Sequence, residues 1–180
     1  MAAAVAPILI ALASFVLRLV NLGSTKGYIF DEVYYVDGAR DLLKYGVEVS
    51  GSNPEFIVHP PVGKWLIGAG IAIFGDNEFG WRFATALIGT LLIFVFARLV
   101  HVLFYSPLLT GLGAALMALD GLLLVHSRTA LLDLFLTFFI LIAILLWHRG
   151  RHWWAGLAFG LALGCKWSAI YFIAVIALVS

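Results

Sequence analysis

Two adjacent carboxylates, Asp31 and Glu32, stand in the aromatic-rich stretch FDEVYY, shortly after a long apolar run. A carboxylate at such a boundary can take the proton of an attacking hydroxyl group, which is the role of a general base. For Asp31 a structural interpretation has equal weight, because aspartate is a favoured helix N-cap and Glu32 would then complement the helix dipole. Since adjacent residues do not share a helix face, we expect the two acids to have different roles.

Three of the basic side chains that follow the acids are candidates for the same site. His59 precedes two prolines, Lys64 follows them, and Arg82 begins the next apolar run. Such groups can stabilise the negative charge that builds on a departing phosphate, so the combination suits a transfer reaction with an anionic lipid. The structural alternatives are a surface histidine ahead of a proline turn and a lysine whose ammonium reaches up to the membrane surface.

A metal site is a weaker interpretation of the same segment. Asp31, Glu32 and His59 could hold a divalent ion, but the chain has no His-x-x-x-His or paired-cysteine spacing. The single cysteine, Cys165, excludes an intramolecular disulfide. The sequence therefore favours chemistry by side chains alone, with no metal or other cofactor.

The amino-acid composition indicates whether these residues belong to a soluble protein or to a membrane protein. The chain is 63% hydrophobic and 12% charged, with a mean hydropathy of +1.06. A soluble domain is about 45–50% apolar and about 25% charged, so this is the composition of a membrane protein. The net charge of +1 argues against nucleic acid as a partner, because binding to phosphate backbones needs a basic surface.

Five apolar runs are long enough to cross a bilayer, which takes roughly 20 residues of helix. They cover residues 2–22, 81–104, 108–125, 130–147 and 153–179. The first run lacks a basic start and a small-residue cleavage site, so we interpret it as a retained anchor. The predicted fold is an all-α polytopic membrane bundle with about five transmembrane helices.

The long connection at residues 23–80 holds 8 of the 10 acidic residues. Residues 31–45 have helical periodicity and end at Gly46, which predicts an amphipathic helix on the membrane surface. Residues 60–74 start with prolines and are too short to span, which predicts an interfacial helix. If the spans alternate, this loop, Arg82 and the turn at 126–129 emerge on one side of the bilayer. Counting Lys and Arg leaves the orientation ambiguous.

Asp120, Asp133 and Lys166 are the charged residues deepest in the predicted spans. A charge inside a bilayer costs about 2.5–3.5 kcal/mol on insertion scales, so each needs a partner or a function. For the aspartates the structural interpretation is an ion pair between packed helices. Lys166 is expected either to bind an anion at the membrane boundary or to form a buried ion pair.

A series of motifs extends over nearly the whole chain: FDEVYY at 30–35, VHPPVGKW at 58–65, GWRF at 80–83, DG at 120–121, HSRTALLD at 126–133 and GCKWS at 164–168. In order and spacing these motifs resemble the N-terminal part of bacterial, actinobacterial-type protein O-mannosyltransferases. The acidic pair and HPP also occur in other lipid-linked glycosyltransferases, including aminoarabinose transferases that act on lipid A. The GKW and HSRTxLLD motifs favour the protein-mannosylating branch.

The resemblance implies a membrane glycosyltransferase of the GT-C type. It would transfer mannose from polyprenyl-phosphate mannose to Ser or Thr hydroxyls of exported proteins, with inversion and without an essential metal. It further implies a multi-pass protein of the bacterial plasma membrane, with a cytoplasmic N-terminus and with residues 23–80 as an outward-facing catalytic loop. The secretion machinery would be a further partner.

By the same resemblance Asp31 is the catalytic base and Glu32 its acidic neighbour. The residues expected to bind the donor and its phosphate are His59, Lys64, Arg82, Arg128 and Lys166, and those expected to support the site are Asp120, His126 and Asp133. Family members are more than twice as long, so residues 1–180 are expected to be a truncated portion that is inactive alone. The alternatives are a related transferase with a lipid or glycan acceptor, and a non-catalytic lipid-binding or assembly fragment.

Overall fold

A computed structural model describes residues 2–51, 53–54 and 58–179, and these residues are mostly helical. The helices are α1 (Ala2–Leu19), α2 (Glu32–Tyr45), α3 (Val62–Phe74), α4 (Glu78–Phe104), α5 (Pro107–Leu119), α6 (Gly121–His126), α7 (Leu132–His148), α8 (His152–Cys165) and α9 (Ala169–Val179). A short antiparallel ribbon of β1 (Val49–Ser50) and β2 (Asn53–Pro54) follows α2. The prediction of a helical fold is confirmed.

Helix α4 is the centre of the bundle, since α1, α3, α5 and α7 all pack against it. It begins at Asn77, whose side chain accepts hydrogen bonds from the backbone N–H groups of Phe79 and Gly80. Among the described residues it is the helix long and apolar enough to cross a membrane by itself, with 27 residues. The other apolar helices of the described chain are shorter.

Two of the predicted spans are interrupted, and the prediction of continuous helices there is wrong. The third span breaks at Asp120, where the backbone is extended and the side chain accepts the backbone N–H of Leu123 at 2.6 Å. Asp120 therefore starts a new helix, as N-cap aspartates do. The fifth span breaks at Lys166, which also has an extended backbone, and the chain becomes helical again at Ala169. Both charged residues thus lie at helix ends instead of inside helices.

Helices α2 and α3 form where the sequence predicts them and pack against each other. Helix α2 ends at Gly46, whose φ of 74° is left-handed and whose N–H donates to the Leu42 carbonyl. Helix α3 begins just after the two prolines, as expected from their fixed φ. Their location at the membrane surface remains a prediction.

The first turn of α3 is held by the start of α7. Leu132 and Phe135 are fully buried there, and burying each such side chain contributes about 1.5–3 kcal/mol. Both lie close to Gly63, where an added Cβ would come within 2.6 Å of Leu132 and 3.3 Å of Phe135. This packing fixes the backbone next to Lys64, a residue that lines the candidate site described below.

Helices α3 and α4 approach closely at Gly70 and Gly80, and this contact gives a first prediction. A Cβ added at Gly70 would overlap the backbone carbonyl oxygen of Gly80. Because a backbone atom cannot move aside cheaply, Gly70→Ala is expected to reduce the free energy of unfolding by about 1–3 kcal/mol, measured by denaturant titration in mixed micelles.

Gly156→Ala is the matched control for this substitution. Gly156 lies inside α8 with no atom within 4 Å of an added Cβ. Since alanine is the better helix former, this variant is expected to keep or to raise the stability. Equal destabilisation by both variants would contradict the close contact between α3 and α4.

Candidate active site

A cavity of about 430 Å³ lies between α2 and the segment that leads into α3. Its volume falls in the range of roughly 300–1,000 Å³ that is typical of small-ligand sites. We call it the Asp31 cavity; its polar lining includes Asp31, Tyr35, Glu48, His59 and Lys64. The structure therefore brings together three of the residues that the sequence singled out, namely Asp31, His59 and Lys64.

Asp31 occupies the residue just before α2, but its side chain makes no capping hydrogen bond within the described chain. Its backbone carbonyl accepts the N–H groups of Tyr34 and Tyr35, while its Oδ2 accepts the Tyr35 hydroxyl at 3.4 Å. Phe30, just before it, has a left-handed φ of 54°, a conformation that costs a bulky residue about 1–3 kcal/mol. The cap interpretation thus explains the backbone position of Asp31 and leaves its carboxylate available to the cavity.

Tyr35 supports Asp31 from the next turn of α2. Its side chain is buried, and its ring lies 5.9 Å from the His59 ring, centroid to centroid. Burial raises the pKa of the Tyr35 hydroxyl, and the negative charges of Asp31 and Asp133 raise it further. The phenol therefore stays protonated and donates its hydrogen bond to Asp31.

Glu32 lies behind the cavity and is fully buried. Its carboxylate accepts from Arg82 Nε at 2.8 Å and Nη2 at 2.7 Å. It also accepts the backbone N–H of Ile29 at 2.8 Å and that of Ala130 at 2.7 Å. One carboxylate thus joins the loop before α2, helix α4 and the turn between α6 and α7, and confirms that these three segments meet.

Arg82 is equally enclosed, with 1% of its surface exposed. Besides Glu32, it donates to the carbonyl oxygens of Thr25 at 2.8 Å and Gly27 at 2.9 Å. The loop before α2 therefore wraps around the guanidinium. Neither Arg82 nor Glu32 is part of the lining that the described residues give to the Asp31 cavity. The catalytic role predicted for Glu32 and the phosphate-binding role predicted for Arg82 stay predictions. Both residues lie where they hold the loop before α2 in place.

Lys64 is buried, and its Nζ lies 2.5 Å from Glu48 Oε2. The interpretation of Lys64 as a side chain that reaches up to the membrane surface is therefore wrong, because Glu48 neutralises it inside the fold. Glu48 was missed in the sequence, where YGVEVS looks like a solvated loop after a helix stop. The ion pair could not be predicted from the sequence, since the two residues are 16 positions apart.

Lys166 forms an ion pair with Asp133, with 2.7 Å between Nζ and Oδ1. This agrees with the interpretation of Asp133 as half of a structural pair, although the pair is partly exposed. The indole N–H of Trp167 donates to the Val58 carbonyl at 2.9 Å, which ties the connection between α8 and α9 to the segment carrying His59. Lys166 is thereby held next to the cavity.

His59 lies in the loop ahead of α3, where burial lowers its pKa and the charges of Lys166 and Lys64 lower it further. Its Nδ1 is buried without a hydrogen-bond partner in the described chain. At neutral pH the ring is therefore neutral. A neutral imidazole can donate one hydrogen bond to a phosphate oxygen or accept one from a hydroxyl.

The lowered pKa of His59 makes stability depend on pH. As pH falls below about 6.5, the unfolded chain binds the His59 proton before the folded chain does, so the free energy of unfolding decreases. The decrease ends once pH is below the lowered pKa of the folded state. His59→Gln, which does not titrate, is expected to lose less stability between about pH 7.5 and 5.5 in denaturant titrations. An identical loss in both proteins would contradict this placement of His59.

The three remaining predicted residues lie elsewhere. Arg128 donates to the carbonyl oxygens of Leu17, Arg18 and Asn21 at 2.8–3.2 Å and so caps the end of α1. Asp120 and His126 line a second, mostly apolar cavity of about 280 Å³, which Asp133 also borders. None of these three side chains belongs to the lining of the Asp31 cavity as described.

Asp31, Glu32 and His59, the side chains that the sequence offers as possible metal ligands, all lie in the described part of the chain. Among the described residues no three His, Cys, Asp or Glu side chains converge closely enough to hold a metal ion. The absence of an essential metal stays a prediction.

Comparison with known proteins finds a matching family and similar proteins. Residues 58–180 match the family described as dolichyl-phosphate-mannose-protein mannosyltransferase. Proteins named polyprenol-phosphate-mannose–protein mannosyltransferase are similar to the chain in three organisms. The Mycobacterium tuberculosis protein is 40% identical over 92% of the chain and 38% of its own length. The Mycolicibacterium smegmatis protein is 35% identical over 94% of the chain and 39% of its own length. The Corynebacterium glutamicum protein is 34% identical over 96% of the chain and 41% of its own length.

The chain therefore spans about two fifths of the length of these relatives. No solved structure matches it. The matched region begins at Val58 and contains His59, Lys64, Arg82 and Lys166, and the relatives' matches extend over Asp31 as well. The chain belongs to the dolichyl-phosphate-mannose-protein mannosyltransferase family.

Proposed function

We propose that the protein containing this chain transfers mannose from polyprenyl-phosphate mannose to Ser or Thr hydroxyls of exported proteins, with Asp31 as the general base. The observation that carries the proposal is the Asp31 carboxylate, which lines the cavity, makes no capping bond in the described chain and accepts the Tyr35 hydroxyl. The names of the actinobacterial relatives support the donor and the protein acceptor.

The reaction is a displacement at the anomeric carbon of mannose. The acceptor oxygen forms a new bond to that carbon, while the bond to the phosphate oxygen breaks and its electron pair leaves with the phosphate. The hydroxyl proton moves to Asp31. Because the acceptor attacks from the face opposite the leaving phosphate, the anomeric configuration inverts. No cofactor is part of this proposal, since proton transfer and charge stabilisation are all that the displacement requires.

The phosphate is proposed to bind at Lys166 and His59. The Lys166 side chain keeps 24% of its surface exposed although it pairs with Asp133, and His59 lies close enough for Lys166 to lower its pKa. Lys64 is less suited, because Glu48 already neutralises it within a buried pair. The Lys166 cation and a hydrogen bond donated by the His59 ring would stabilise the negative charge that develops on the departing phosphate.

Glu32 and Arg82 are proposed as positioning residues. They fix Ile29, the loop at Gly27 and the turn at Ala130 behind Asp31. Since Asp31 directly precedes Glu32, holding Glu32 holds the backbone from which the base projects. If Asp31 is displaced, the rate of mannose transfer is expected to fall steeply, because proton transfer requires the carboxylate to lie close to the acceptor hydroxyl.

The proposed setting is a multi-pass helical bundle of the GT-C type in the bacterial plasma membrane, with a cytoplasmic N-terminus and residues 23–80 outside. The apolar composition supports it, as does the length of α4. Leu9, Leu12 and Val16 along α1 are each more than half exposed, as expected of side chains that face lipid or a further helix. The secretion machinery is a proposed partner, because the acceptors are exported proteins.

The proposal is tested with the full open reading frame that contains these residues, purified in lipid. It is incubated with polyprenyl-phosphate mannose and a Ser/Thr-rich peptide, and the peptide mass is measured. The matched control is the same peptide with every Ser and Thr replaced by Ala. Mannose on the hydroxyl peptide alone is the expected result. Absence of glycopeptide together with mannosylated lipid or glycan would overturn the protein acceptor.

A further inference from the structure

Glu48 lines the Asp31 cavity and carries an acceptor atom that no described group uses. The residue is 5% exposed, yet its Oε1 is buried without a hydrogen-bond partner in the described chain. Its other oxygen, Oε2, is held by Lys64 Nζ. A buried acceptor left unsatisfied is unfavourable, so such an atom in a cavity calls for a ligand.

The position of Glu48 is set from two sides. On one side is Gly38 of α2, where an added Cβ would lie 2.7 Å from Glu48 Oε2. On the other is Lys64 of α3, itself fixed by the packing of Gly63 against Leu132. Because helices on both sides hold this carboxylate, the direction of its free oxygen is preorganised.

The charge of the pair selects the kind of ligand. Glu48 and Lys64 together are neutral, so the pair does not attract an anion, and a phosphate oxygen next to Oε1 would be repelled. The free oxygen is an acceptor and needs a neutral hydrogen-bond donor. In the proposed function the neutral donors are the hydroxyl groups of the sugar and of the acceptor, and both groups react beside the base that lines this cavity of about 430 Å³.

We propose that Glu48 Oε1 accepts a hydrogen bond from a hydroxyl of the transferred sugar, which makes Glu48 a specificity-determining residue. This inference rests on the proposed function. The donor sugar is favoured over the acceptor because Asp31 takes the acceptor hydroxyl, and because Glu48 is too deeply buried for a polypeptide to approach. A site built to bind a substrate hydroxyl rejects an analogue that lacks it, since the buried acceptor is then left unpaired.

The test uses polyprenyl-phosphate mannose donors that each lack one sugar hydroxyl, with the full open reading frame in lipid. With the unaltered protein, one analogue is expected to be transferred roughly 10- to 100-fold more slowly than mannose. In the double variant Glu48→Leu with Lys64→Met, which removes the acceptor and leaves no unpaired charge, this ratio is expected to approach one. Each ratio is taken on a single preparation, so the folded fraction cancels.

Glu78→Gln is the control, because Glu78 is an acid at the start of α4 that pairs with exposed Lys26; its ratios are expected to equal those of the unaltered protein. Should the double variant not fold, Glu48→Met with Lys64→Met decides, because methionine is close to glutamate in length and carries neither charge: a smaller ratio supports the assignment and an unchanged one overturns it. Equal penalties in the unaltered protein and the double variant, or no penalty for any analogue, overturn the role of Glu48 alone. Absence of any mannose transfer by the unaltered protein overturns the proposed function and this inference together.

Discussion

Asp31→Asn is expected to slow mannose transfer by about 10²–10⁴-fold, the usual contribution of a general base. The amide can still accept the Tyr35 hydroxyl, so the local hydrogen bond at Asp31 Oδ2 is preserved. It cannot take up a proton from the acceptor. Donor binding and the unfolding midpoint should change little, because the Asp31 side chain caps no helix in the described chain.

Asp41→Asn is the matched control for this loss. Asp41 lies on α2, the helix that Asp31 precedes, and its Oδ2 accepts the backbone N–H of Val49. The asparagine oxygen can keep that bond, and Asp41 is outside the lining of the Asp31 cavity as described. Transfer by this variant should stay near that of the unaltered protein. A similar loss in both variants would show that the negative charge of α2, and not a base at Asp31, is what matters.

Arg82→Met is expected to lower the free energy of unfolding by about 3–5 kcal/mol, because it leaves the buried Glu32 charge uncompensated. The guanidinium joins Glu32 to the carbonyl oxygens of Thr25 and Gly27, so the loop before α2 should also loosen. Transfer should fall as well, since Asp31 stands on this loop. Denaturant titration in mixed micelles measures the loss of stability, and transfer at low temperature measures the activity of the folded fraction.

A double-mutant cycle separates the charge from the packing. In Glu32→Gln with Arg82→Met the buried charge is gone, while the Gln oxygen can still accept one of the two backbone N–H groups, that of Ile29 or that of Ala130, which bind different oxygens of Glu32. The double variant is therefore expected to lose less stability than the sum of the two single variants. Strict additivity would contradict a coupled pair. Lys26→Met, which removes a cation that is 76% exposed, should leave stability nearly unchanged.

The helices that carry the site were predictable because their signals are local. Periodicity and the Gly46 stop indicate α2, and the prolines ahead of Val62 indicate the start of α3. The breaks at Asp120 and Lys166 were missed for a physical reason. Length and hydropathy measure whether a run can span a membrane, and an extended residue inside the run changes neither quantity.

The division of work between Asp31 and Glu32 could be predicted only in part. Their adjacency shows that they face different directions, but the partner that buries Glu32 lies fifty positions away at Arg82. The ion pair of Glu48 with Lys64 could not be predicted for the same reason. An acid in a polar loop is expected to be solvated, and only the folded structure shows that a buried cation lies next to it. Pairings between residues that are distant in the sequence depend on how the helices pack, whereas motifs and helix caps are formed by residues that are neighbours in the sequence.

The most direct measurement of the central claim is a single turnover with donor already bound. The unaltered open reading frame and its Asp31→Asn variant are loaded with polyprenyl-phosphate mannose, donor retention is measured, and the acceptor peptide is then added. Single-turnover kinetics separate the chemical step from binding and product release. If Asp31 is the base, both proteins retain the donor and only the unaltered one transfers mannose rapidly to the peptide. Equal transfer rates from equal amounts of bound donor would contradict the assignment of Asp31.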